Sequence, residues 1–140
     1  MNDKSTDKAT GLGNVYGRLL NCRNDYQGSR KRILCVCSAG LLRSPTAAVI
    51  LSQDPWNFNT RAVGIEKNWA LIPIDEVLIE WADEFVCMNQ NQEEKIKDML
   101  KPNDARKVHC LHIEDEFDYM NVVLVDAMKE EFHKIFPVEN

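Results

Sequence analysis

A cysteine at 37, an arginine six residues later at 43 and a serine at 44 are the residues of this 140-residue chain best suited to chemistry. They lie in Arg32-Ile-Leu-Cys-Val-Cys37-Ser-Ala-Gly-Leu-Leu-Arg43-Ser44-Pro45. With five cysteines and seven arginines in the chain, a Cys with Arg at +6 arises by chance roughly one time in four. Context gives the spacing its meaning. A strand leads in and a helix leads out, and such a junction gathers backbone amides and a positive helix end around an anion. Residues Ser38, Ala39, Gly40, Leu41 and Leu42 supply the inward-turning amides, and Gly40 can adopt a left-handed conformation at no steric cost. Arg43 offers a fork matched to two oxygens of a phosphate, which a lysine cannot reproduce. The same positive surroundings favour a thiolate, so Cys37 is expected to be a nucleophile at neutral pH. Ser44 has two candidate roles: cap of the helix, or hydroxyl donor to that sulfur.

The elements that must hold these residues can be read in turn. Ile33 to Cys37 is apolar on both faces, as in a central parallel strand. Ser44 to Gln53 is helical, with Ser44 as N-cap and Pro45 at the first helical position, and Asp54-Pro55 stops it. Phe58 to Val63 is a second strand closing at Gly64. Ile74, Val77, Leu78 and Trp81 fall at i, i+3, i+4 and i+7 and predict a helix. Glu84 to Met88 is a short strand. Asn91 to Leu100 is a helix with Ile96, Met99 and Leu100 inward, and Lys107 to Ile113 is a fourth strand. Asn121 caps a last helix whose Val122, Val125, Met128, Phe132 and Ile135 form one stripe. The alternation predicts an α/β fold in three layers, a four-stranded parallel sheet with helices on both faces and the anion loop after the first strand. Residues 1–31, with four of the six glycines, read as a partly irregular N-terminal arm, and 32–140 as one domain.

The segment Val36-Cys37-Ser-Ala-Gly-Leu-Leu-Arg43-Ser44-Pro45 resembles the phosphate-binding loop of the low-molecular-weight protein tyrosine phosphatases, including the small bacterial and phage types. Thr60-Arg61-Ala62-Val63-Gly64 is similar to the second-strand segment of the same family. The resemblance implies hydrolysis of a phosphomonoester through a cysteinyl-phosphate intermediate. Cys37 would be the nucleophile, residues 38 to 43 the phosphate cradle, and Ser44 the group that tunes the sulfur. The sequence departs from the family in three places. Leu42 stands where a second, redox-active cysteine is common, Gly40 replaces the loop's usual asparagine, and the family's late Asp-Pro pair is missing.

The general acid must then come from elsewhere. A parallel sheet places its site at the carboxyl ends of its strands. The loop there reads Glu114-Asp115-Glu116-Phe117-Asp118-Tyr119, and Asp115, two residues past the expected fourth strand, is the first candidate for the acid. Asp118 is the second. Trp69 and Tyr119 are candidates to flank the substrate ring. His109 and His112, at i and i+3 of a strand, face opposite sides and make no metal pair. Cys35 is placed on the face opposite Cys37, Cys87 in the core, and Cys110 alone on its strand.

Composition bounds the function. The formal net charge is −5, against a nucleic-acid partner, which calls for a basic face. The longest apolar runs are about five residues, far short of the roughly 20 of a membrane span. Five irregularly spaced cysteines suit reduced thiols and a cytoplasmic setting. The expected partners are a phosphorylated protein or peptide as substrate and inorganic phosphate or vanadate as ligands, with neither metal nor organic cofactor. Phosphoserine hydrolysis on the same fold and a catalytically weak phosphopeptide-binding protein are the alternatives.

Overall fold

Every residue from Ile33 to Cys37 is buried, because this strand runs through the middle of the sheet and is covered on both faces. The computed structural model describes residues 30–38, 43–66, 68, 70, 72–113 and 120–138. The expected arm lies outside the described residues except at Arg30 and Lys31. In chain order the described elements are β1 (Arg32–Cys37), α1 (Arg43–Leu51), β2 (Asn59–Gly64), α2 (Glu76–Trp81), β3 (Glu84–Cys87), α3 (Gln90–Met99), β4 (Val108–Cys110) and α4 (Val122–Ile135). The strands form one sheet in the order β2-β1-β3-β4, and every pairing is parallel.

Alternate side chains of the strands feed two cores. Ile33, Cys35, Cys37 and Val86 pack with Ala47, Ile50 and Leu51 of α1 and Leu124, Met128 and Phe132 of α4. Leu34, Val36, Phe85 and Cys87 pack with Leu78 of α2 and Ile96 of α3. The result is the three-layer α/β arrangement expected from the sequence. Trp56, in the α1–β2 connection, meets Phe132 edge-on at 5.8 Å and donates its indole N–H to the Phe136 carbonyl. A Phe buried this completely is worth roughly 3–5 kcal/mol relative to Ala.

Several local expectations are corrected. Val77, Met99 and Val122 are exposed at 47, 36 and 73%. Met99 and Val122 are the last and first residues of their helices, and Val77 lies beside the inward-facing Leu78 at the margin of a six-residue helix. On α4 the inward stripe runs through Leu124, Met128 and Phe132, with Val125 and Ile135 at its margin. β4 is only Val108–Cys110, because His112 takes a left-handed conformation, φ 56°, and turns the chain out of the ladder. Leu111 and Ile113 still donate their amides to Cys87 and Met88 at the end of β3. Cys35 shares a face with Cys37, as i and i+2 of a strand must.

The amino ends of the strands are clipped by one carboxylate. Glu84 accepts from Lys31 Nζ at 2.7 Å and bonds His109 Nε2 at 2.7 Å, and the His109 ring packs against Phe136. Burial pushes the Glu84 carboxyl up, but the hydrogen bonds and charges of Lys31 and His109 outweigh that and hold it below its usual value. A depressed carboxylate stabilises the fold above its unfolded-state pKa and loses that contribution as pH falls through its folded value. Glu84→Gln is therefore expected to lower the melting temperature at pH 7, and the gap to wild type to close below about pH 4.5, the carboxyl's ordinary value. A gap that persists unchanged in acid would show that the ionised carboxylate is not the source. Thermal unfolding across pH reads the difference.

Candidate functional site

The strand order reverses at β1. The chain leaves β1 for α1 on one face and leaves β3 for α3 on the other, which opens a crevice at the carboxyl ends of these two neighbours. Cys37 closes β1 at that edge and is 3% exposed. Its sulfur lies 3.1 Å from the Ser44 hydroxyl, which also donates to the Val63 carbonyl of β2 at 3.1 Å. The expectation that Ser44 caps the helix is corrected: α1 begins at Arg43, so Ser44 and Pro45 lie inside its first turn. Pro45 is tolerated there because first-turn amides have no partner within the helix.

Ser44 has one proton and two neighbours that can accept it. With the hydroxyl turned to Val63, the Cys37 thiol donates to Ser44 Oγ. Once the sulfur is ionised it can only accept, and the hydroxyl proton rotates to it. A hydrogen bond to a charged group contributes about 1.5–3 kcal/mol. The geometry thus provides a donor that strengthens when the thiolate forms, beneath the positive end of α1.

Arg43 is 2% exposed and donates from Nη1 to the Ile113 carbonyl at 2.7 Å. Thr46, one turn along α1 and fully buried, accepts from the Met120 amide at 2.9 Å. Ile113 and Met120 flank residues 114–119, so the helix that starts at Arg43 holds the chain on both sides of the acidic segment. Both flanks are sharply turned, with His112 at φ 56° and Met120 at φ 57°.

Ser38 is clamped from two directions. Its carbonyl accepts from the Glu66 amide at 3.0 Å, and its hydroxyl accepts from Gln92 Nε2 at 3.2 Å. The Cys37 carbonyl likewise accepts from the Ile65 amide at 2.8 Å. Lys95 of α3 pairs with Glu66 at 3.1 Å. The structure therefore brings together Cys37, Ser38, Arg43 and Ser44 among the residues singled out from sequence. Ala39, Gly40, Leu41, Leu42, Trp69, Asp115, Asp118 and Tyr119 lie outside the described residues.

The other candidates stand apart from this edge or are inert. His109 bonds Glu84, and His112 Nδ1 lies 3.6 Å from Cys110 Sγ. Cys110 is not alone, since it sits opposite Cys87 in the β3–β4 register. Burial first, and then the adjacent Cys110, push the Cys87 thiol far above its ordinary range, which leaves it a protonated core group. Among the described residues no three His, Cys, Asp or Glu side chains could hold a metal ion, and no helix is long and apolar enough to cross a membrane. Gln92 and Thr46 escaped the sequence reading. The Asn89-x-x-Gln92 spacing of a capping box was a usable signal for the first, whereas nothing local marks the second.

No family model matches the chain, and none of the curated proteins matches it. Among solved structures it is similar to that of a YwlE mutant from Bacillus subtilis, at 21% sequence identity and a TM-score of 0.48, over 71% of this chain and 90% of that one.

Ser44→Ala should slow alkylation of Cys37 by iodoacetamide at neutral pH by roughly one to two orders of magnitude, the loss of one hydrogen bond to a charged sulfur. Site-resolved mass spectrometry of the modified peptide measures it. An unchanged rate would mean that the hydroxyl serves only Val63.

Proposed function

We propose that the chain is a cysteine-dependent phosphatase of the low-molecular-weight tyrosine phosphatase type, hydrolysing phosphotyrosine in proteins or peptides. The observation that carries this reading is the Cys37 sulfur held 3.1 Å from Ser44 at the head of α1, with Arg43 buried beside it. The resemblance of residues 32–64 to that family's loop and second strand supports it. In the proposed reaction the Cys37 thiolate attacks phosphorus in line while the amides of residues 38–43 and the Arg43 guanidinium hold the equatorial oxygens. Fixing the Arg43 fork on the Ile113 carbonyl reduces the freedom it must lose when it grips those oxygens. Asp115 protonates the departing oxygen. Its carboxylate then activates water, which releases phosphate from sulfur, while the Ser44 hydroxyl stabilises the leaving thiolate. The anchoring of Ile113 and Met120 to α1 supports an acid drawn from the segment between them. Trp69 and Tyr119 are proposed to flank the ring, and the setting is proposed to be cytoplasmic. This chemistry requires neither a metal nor an organic cofactor.

Cys37→Ser is the direct test, with p-nitrophenyl phosphate as substrate. Turnover should disappear while affinity for inorganic phosphate stays within about tenfold, since charged hydrogen bonds from the loop and Arg43 supply the binding. Retained turnover would remove Cys37 as nucleophile. Phosphate binding by a wild-type protein that never turns over would favour the phosphopeptide-binding alternative.

The acid is tested by leaving group. A phosphotyrosyl peptide needs a proton in the transition state more than an activated aryl phosphate does, so Asp115→Asn should slow the peptide more, by about 10²–10⁴-fold at most. It should also flatten the basic limb of the pH profile. The same dependence in Asp118→Asn, and not in Asp115→Asn, would move the acid to Asp118.

A further inference from the structure

Gln92 is a fully buried polar side chain whose contacts exceed what its local structure needs. It is the third residue of α3 and closes a capping box with Asn89. Its Oε1 accepts from the Met88 amide at 2.7 Å and from the Asn89 amide at 3.2 Å. Two backbone donors on one atom fix that atom as oxygen, so the amide nitrogen faces the other way. There it donates to Ser38 Oγ, across the crevice between β1 and β3. A capping box asks only for an acceptor, which a glutamate provides equally well. What glutamate cannot provide when ionised is the N–H toward Ser38.

We propose that Gln92 is a positioning residue for the phosphate-holding loop, its carboxamide setting the Ser38 side chain so that α3 fixes the loop's first peptide. The inference rests on the phosphatase reading above and adds a member to its site. Ser38 is the residue directly after the nucleophile, and its carbonyl is already tied to Glu66. Securing the hydroxyl as well leaves Ser38 itself little freedom, which lowers the ordering cost of binding an anion beside it. Charge is the second part of the role. A neutral amide at this buried position donates toward the loop, whereas a carboxylate would repel a phosphate dianion.

The test compares inorganic phosphate binding by calorimetry in wild type, Gln92→Glu and Ser38→Ala. Gln92→Glu keeps the acceptor that the cap requires, but burial of its carboxylate should lower the melting temperature at neutral pH, so binding is compared well below that temperature, on the folded protein. Its phosphate affinity should fall at least tenfold. Measured against wild type at each pH, the loss should reverse as acid protonates the introduced carboxyl and restores a donor. Burial should start that recovery above the ordinary carboxylate range. A merely structural role would lower the melting temperature and leave the phosphate affinity of the folded protein unchanged. Ser38→Ala, which leaves the cap untouched, should weaken phosphate binding about fivefold, the worth of one neutral hydrogen bond. Should Gln92→Glu fail to fold, Ser38→Ala alone decides. Wild-type affinity in Ser38→Ala, or a Gln92→Glu defect with no recovery in acid, would overturn the positioning role and leave the phosphatase reading standing. A wild-type protein that binds no phosphate would overturn both.

Discussion

The site depends on a single distance, the 3.1 Å between the Cys37 sulfur and the Ser44 hydroxyl. For it to hold, the end of β1, the first turn of α1 and the end of β2 must meet at one point. The Ser44 hydroxyl reaches the Val63 carbonyl as well, so the serine also measures the distance from helix to neighbouring strand. The parallel register that sets Val36 beside Val63 and Cys37 beside Gly64 is what delivers that carbonyl. Gly64 then bonds Ile72 and Ile74 through its amide and carbonyl. The chain beyond β2 is thereby tied to the same edge.

How much of this could be read from residue order follows from the range of each interaction. β1 was legible because burial on both faces leaves an unbroken apolar run, and the strand–loop–helix context of Cys37 and Arg43 is local in sequence. The face of Cys35 was a matter of period alone, since i and i+2 fall together on a strand. Helix ends were read less well. Val77, Met99 and Val122 satisfy a 3.6-residue period and still point to water, because periodicity fixes neither the ends of a helix nor the margins of its buried face. The cut at His112 was hidden too, since the residues on either side are ordinary strand formers and only the φ of one histidine ends the ladder.

Contacts between distant segments were illegible for a plainer reason. Arg43 to Ile113 spans 70 residues and Thr46 to Met120 spans 74. Neither carbonyl nor amide carries a residue-type signature, because the backbone groups are the same everywhere. The Cys87–Cys110 neighbourhood was missed likewise, since it appears only once β3 and β4 are paired. Ser44 is the intermediate case. Residue type showed that it could cap or donate, and only the start of α1 at Arg43 selects the second.

The sheet order links these pieces. In the order β2-β1-β3-β4, the connections from β1 and β3 depart to opposite faces, so their first residues are neighbours that belong to different layers. Hydrophobic packing holds each helix to its own face. A polar side chain that spans the crevice between β1 and β3 must be satisfied at both ends, since a buried unpaired polar group costs about 1–3 kcal/mol. Gln92 meets that condition, with both ends of its amide engaged. Arg43 and Thr46 meet the corresponding demand within the other layer, joining α1 to the chain on either side of residues 114–119. The apolar cores therefore set where the layers lie, while a few buried polar side chains set how the loop edges stand relative to one another. An anion site needs the second kind of precision, because charged hydrogen bonds weaken steeply with angle and distance.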